Sequence, residues 1–120
     1  MKNRIFRYYK LAWLITIITM IFIFYISSIP ADPVPGIGFK YKSNIYHFGI
    51  FFILAFFSMI AFSKGRKNKE FIIIAILFSI VYATTDELHQ SLILGRNVSV
   101  GDFLTDCLGI ITAFILNSIK

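Results

Sequence analysis

Charge is scarce in this chain: its 120 residues include twelve Lys or Arg and six Asp or Glu, 15% in all. So few charged groups cannot wrap a soluble surface around a composition that is 58% hydrophobic, with a mean hydropathy of +0.78. Cysteine is almost missing. Cys107 stands alone, which excludes an internal disulfide and reads as a small buried packing residue. Proline is confined to Pro30, Pro33 and Pro35, in a stretch whose turn formers mark a linker. No internal repeat or low-complexity tract is evident.

What the chain has instead is long apolar runs carrying 14 Phe and 6 Tyr. Residues 11–29 contain no charge, and residues 45–62 contain only His47 as a titrating group; each has roughly the 17 to 25 residues that a spanning helix needs. The third run is purely apolar only over residues 71–83. To cross a bilayer it must continue through Thr84, Thr85, Asp86, Glu87, Leu88 and His89 to Gln90. The fourth, residues 102–119, spans only with Asp106 inside its first turns. The expectation is an all-α, polytopic membrane protein: a single domain over residues 1–120, built as a bundle of four transmembrane helices, at about 11–29, 45–62, 71–90 and 102–119.

Short loops rich in Lys and Arg stay cytoplasmic. With the N-terminus inside, nine of the twelve cations fall on the inner side: Lys2, Arg4, Arg7, Lys10, Lys64, Arg66, Lys67, Lys69 and Lys120. Lys40, Lys42 and Arg96 fall outside. This bias predicts an N-in, C-in bundle, with residues 30–36 as an outer linker and residues 63–70 as a tight inner turn. A basic start, an apolar run and Ser27-Ser28 near Ala31 also describe a secretory signal. The run is longer than the roughly 7 to 15 residues of a signal h-region, so a retained helix is expected.

That topology gathers the polar residues on one side. His47 is expected in the first turn of the second helix, Asp86, Glu87, His89 and Gln90 at the end of the third, and Asp102 and Asp106 at the start of the fourth. Arg96 and Ser99 lie in the loop between the last two. On the third helix Tyr82, Asp86, His89 and Gln90 share one face at helical spacing, with Glu87 beside it. On the fourth, Asp102, Asp106, Gly109 and Ala113 form another stripe, whose small residues let a neighbouring helix approach closely. An acid at mid-membrane costs about 2.5 to 3.5 kcal/mol on insertion scales, so a set of them needs partners or a purpose. His47, Glu87, Gln90, Arg96 and Asp102 are expected to converge, in a site built from the second to fourth helices.

These residues carry a resemblance. Asp86-Glu87-x-His89-Gln90, followed by Gly95-Arg96, Ser99, Asp102 and Gly109 and preceded by His47 early in a helix, resembles the pattern of the VanZ-like membrane protein family. The Ser27-Ser28-x-Pro30 exit of the first helix is also similar. Asp106 departs from the pattern, standing where the family usually has Asn. The resemblance covers about residues 26–116 and implies a small bacterial membrane protein of a family associated with resistance to teicoplanin-type glycopeptide antibiotics. It supplies no reaction.

Three functional classes fit the residues. The first is a site at the outer leaflet of the cell membrane that takes a lipid-linked cell-wall precursor, a lipid headgroup or a lipoglycopeptide. There Glu87, Asp86 and His47 are the candidates for acid, base or ligand, and His89, Gln90, Arg96, Ser99, Asp102 and Asp106 for binding. In an enzymatic version the same acid and histidine groups serve a membrane-embedded hydrolase or transferase. The second is a structural bundle in which these groups only pin helices together. The third is ion or proton binding, against which stands the lack of ionisable groups in the inner halves of the helices. A divalent cation suits the oxygen-rich cluster, although the spacing matches no recognised metal motif. Nucleic acid is not an expected partner, because a net charge of +6 distributed by membrane topology needs none.

Overall fold

A computed structural model describes residues 2–29, 39–64, 66, 68–93 and 100–119, with side chains described for 8–29, 44–64, 66, 68–93 and 100–117. It consists of four helices: α1 (Lys2–Ser28), α2 (Phe39–Ser63), α3 (Lys69–Gln90) and α4 (Val100–Ile119). All four are long and apolar enough to cross a membrane, with candidate spans Tyr8–Ser28, Asn44–Ser63, Lys69–Gln90 and Val100–Asn117. The all-α, four-span expectation is met. α1 and α2 begin earlier than their apolar runs, because the helix continues through polar residues once a span has nucleated it. His47 consequently sits more than two turns into α2 and not in its first turn.

The turn between α2 and α3 is short and defined at both ends. Lys64 takes φ 55, the left-handed conformation that stops a helix. Asn68 then caps α3, its side-chain oxygen accepting from the Glu70 amide at 3.0 Å.

Outward faces are apolar along the bundle: Ile21 is 64% exposed, Val81 63% and Leu108 56%. In water such continuous apolar surface would drive aggregation; in a bilayer it faces the hydrocarbon. The interior is layered. Trp13, Phe62 and Phe78 pack in sequence near one end as tilted ring pairs, with ring centroids 4.9 and 5.4 Å apart. Above them lies a dry core of Ile23, Phe51, Leu54, Ala55, Met59, Ala75, Ala83, Ile110 and Ala113. Polar side chains collect at the opposite end. Cys107, expected in the packed interior, is only partly buried, because α4 turns its small-residue stripe inward and leaves position 107 off that face.

The stripe on α4 docks on α2. A Cβ added to Gly109 would run into the carbonyl oxygen of Phe48 and stand 3.1 Å from the Phe52 amide nitrogen. Here two backbones touch where only glycine leaves room. Ala113, one turn on, is fully buried in the same seam.

Gly109→Ala should therefore destabilise the bundle by about 1 to 3 kcal/mol, the usual cost of overpacking a closed contact. Gly49 has nothing within 4 Å of its would-be Cβ, so Gly49→Ala should leave stability unchanged or raise it by up to about 1 kcal/mol. Unfolding of the detergent-purified variants compares the two; a Gly109→Ala protein as stable as wild type would refute the close approach.

Candidate functional site

The close α2–α4 seam sets the level at which polar groups from the two helices meet. His47 immediately precedes Phe48, and Asp106 lies just under one turn before Gly109, so the backbone contact brings His47 against Asp106. Nδ1 of His47 lies 2.7 Å from Oδ1 of Asp106, and the two residues are 3% and 0% exposed. Asp102, one turn earlier and partly open, places Oδ2 at 3.7 Å from the other ring nitrogen, Nε2. The two acids of α4 thus bracket one imidazole. The second oxygen of Asp106, also buried, has no hydrogen-bond partner among the described residues.

α3 brings the other half. Asp86, Glu87 and Gln90 are all buried at its end. Oγ of Ser27, near the end of α1, donates to Oδ1 of Asp86. The Gln90 amide reaches Oδ2 of Asp86 at 3.3 Å and Oγ of Ser27 at 3.4 Å. Gln90, the residue one turn beyond Asp86, therefore holds Asp86 in place and does not cap a chain end. Tyr82, one turn below, donates to the Met20 carbonyl at 2.6 Å and anchors the same face of α3 to α1.

Four groups from three helices converge: His47, Asp86, Glu87 and Asp106 each offer one donor atom, and these atoms all lie within 4.8 Å of one another. All four residues are buried. An imidazole among three carboxylates can hold a proton, accept hydrogen bonds from a polar ligand, or coordinate a divalent cation. These are the residues able to hold a metal.

Compared with the sequence-based expectation, the structure brings together His47, Asp86, Glu87, Gln90, Asp102 and Asp106. His89 departs from the group. It stacks on Phe24 with ring centroids 4.6 Å apart and pairs with Oγ of Ser28 at 2.9 Å. Its ring thus faces α1 and not the acids. Arg96 and Ser99 lie outside the described residues. The expectation that only the second to fourth helices build the site is corrected as well, because α1 supplies Ser27, which is 2% exposed and bonded to Asp86. A serine ending an apolar run carries no chemical signal of its own; the family-like Ser27-Ser28-x-Pro30 exit and the topology, which puts the end of α1 beside the end of α3, are what point to it.

No curated protein and no solved structure matches the chain. The family model described as VanZ/LLP1 does match, over residues 11–120, a stretch that takes in the last three spans, all but the first three residues of the first span, and every polar side chain of the cluster. With nearly its whole length covered, the chain belongs to the VanZ/LLP1 family.

Proposed function

We propose that this protein works at the outer leaflet of the bacterial cell membrane, where its buried acid and histidine cluster receives the polar part of a membrane-associated cell-wall ligand. Such a ligand is a lipid-linked precursor or a lipoglycopeptide antibiotic, and the outcome is reduced susceptibility to teicoplanin. One observation carries this reading: the ends of α1 and α3 and the N-terminal parts of α2 and α4 pool their buried acids, histidine, amide and Ser27 hydroxyl at a single end of the bundle, while the buried polar groups described elsewhere are hydroxyls bonded to their own helices. Intramembrane carboxylates are costly to keep and are functional candidates by default. The opposite end carries the N-terminal cations and the Lys64–Lys69 turn, and the positive-inside rule assigns that end to the cytoplasm. The polar end then faces outward, where cell-wall intermediates and lipoglycopeptides meet the membrane.

A second reading, a hydrolase or transferase acting on a lipid or precursor headgroup, draws on the 2.7 Å His47–Asp106 pair. A carboxylate that orients an imidazole, with further acids close by, is the arrangement general acid and base chemistry uses. In this reading Glu87 or His47 takes a proton from the attacking group.

Two experiments test the proposal. Alkaline phosphatase fused between α1 and α2 should be active, and fusions in the α2–α3 turn or after α4 should be inactive; the reverse pattern would place the polar cluster on the cytoplasmic side. In a sensitive Gram-positive host, wild-type protein should raise the inhibitory concentration of teicoplanin several-fold and leave that of vancomycin unchanged. Glu87→Gln, at membrane levels matched by immunoblot, should give no protection. Equal protection by both proteins would remove Glu87 from the function, and protection by neither would separate this chain from the resistance role.

A further inference from the structure

We propose that His47, Asp86, Glu87 and Asp106 form a binding site for one divalent transition-metal ion, of the class of Zn²⁺ or Mn²⁺, buried among α2, α3 and α4. The site stands on donor geometry and does not depend on which ligand the outer face of the protein receives.

Distance is the first ground. A first-row divalent ion bonds imidazole nitrogen and carboxylate oxygen at about 2.0 to 2.2 Å, so its donors are about 3.4 Å apart in a tetrahedron and up to about 4.2 Å apart across an octahedron. The four donor atoms lie within 4.8 Å of one another. Closing that set onto one ion takes movements of about an ångström or less, within the reach of side-chain torsions. The donors come from three helices that the Gly109 seam and the Ser27–Asp86 bond already fix, so most of the ordering needed to bind is done by folding.

The second ground is independent of the cluster's composition. Asp106 is fully buried, yet its Oδ2 has no hydrogen-bond partner among the described residues. A buried carboxylate oxygen left without a donor is costly in a low-dielectric interior. A bound cation would satisfy it. The surrounding bonds also have the form of supports for metal ligands. Asp86 is held by Ser27 and Gln90, and Asp102 stands at 3.7 Å from a nitrogen of His47. Hydrogen-bonding partners of this kind fix the orientation of ligating carboxylates and imidazoles.

Donor chemistry selects the class of ion. Ca²⁺ and Mg²⁺ take oxygen donors, whereas the imidazole in the set suits Zn²⁺ and its neighbours, and the three carboxylates beside it admit Mn²⁺. Three carboxylates supply more than enough negative charge to neutralise a divalent cation inside the bundle. The ion in turn makes the burial of those carboxylates sustainable.

Titration of detergent-purified full-length protein, stripped with EDTA and exchanged into metal-free buffer, tests the site. Mn²⁺ followed by electron paramagnetic resonance should bind at about one equivalent per chain. Its pulsed spectrum should show nitrogen coupling from one imidazole, absent in His47→Gln. Zn²⁺ should displace the Mn²⁺, and a large excess of Mg²⁺ or Ca²⁺ should not. Glu87→Gln and Asp106→Asn should weaken binding by at least about 100-fold, the upper end of what losing even a supporting group costs. Asp102→Asn should weaken it by less than about 10-fold, the lower end of that range. Substoichiometric binding by folded wild type, one bound Mn²⁺ without nitrogen coupling, or displacement by Mg²⁺ as readily as by Zn²⁺ would each overturn the proposal. The wild-type measurements decide the matter even where a variant fails to fold. Metal binding without teicoplanin protection would leave the site standing and remove only the resistance reading.

Discussion

The backbone contact between Gly109 on α4 and Phe48 on α2 is the constraint on which the rest of the site depends. Helices that meet through side chains stand 8 to 10 Å apart, and at such a spacing the register of polar groups on facing helices is loosely set. A glycine at the crossing brings the two axes closer and fixes both their separation and their level. His47 and Asp106 sit just beside that crossing, and their 2.7 Å contact follows from it. A methyl group at position 109 would loosen the core and also open the His47–Asp106 pair. The glycine therefore links packing to chemistry.

Around that fixed pair the bundle solves an electrostatic problem in stages. The carboxylates of α3 and α4 lie within segments that are otherwise apolar, where hydration is missing and each charge must find protein partners. Asp86 meets a hydroxyl and an amide, and Asp106 meets an imidazole. Asp102, nearer the helix start, keeps some access to solvent or headgroups. Burial thus increases from Asp102 to Asp106 over a single turn. The cluster is partly open at Asp102 and closed at Asp106, whose second oxygen is buried with no hydrogen-bond partner among the described residues.

The four spans were legible because their apolar runs match the thickness of a bilayer, and the third and fourth runs reach that length only by including acids. The pairs Asp86–Gln90 and Asp102–Asp106 were legible from their spacing of four. His89 shows where spacing stops being informative. From Asp86, position 89 is rotated about 60° one way around the helix and position 87 about 100° the other way. Both flank the same residue, and only the packing partner decides which turns inward. α1 lies on the His89 side and offers Phe24 and Ser28, while α2 and α4 lie on the Glu87 side and offer His47 and Asp106. Ser27 was visible as part of the family-like exit of α1, but its bond to Asp86 was not, since that comes from the helix beside it. Helix starts were hidden because hydropathy marks the apolar stretch and not the polar turns before it, which is why His47 lies deeper in α2 than its distance from the apolar boundary suggests.

The layering of the interior also bears on direction. Below the acids, the buried polar side chains among the described residues are Thr16, Thr19, Ser58, Ser63 and Ser79. Each returns its hydroxyl to a carbonyl of its own helix, at 2.6 to 2.9 Å. A hydroxyl bonded in this way is satisfied locally, and the bond adds no step to a polar path along the bundle. Only Ser58 and Ser79 also face each other, at 3.4 Å across the α2–α3 crossing, and Phe51, Leu54 and Ile23 fill the core that includes their neighbours Ala55 and Ala75. A proton relay through the chain would need a run of titrating or hydrated groups at that depth; the buried hydroxyls described there are back-bonded, and Tyr82 and Asn117 end on the Met20 carbonyl and the Met59 sulfur. The acids and histidine accordingly gather at one end of the bundle, and such a placement suits a binding or catalytic site better than a conduit.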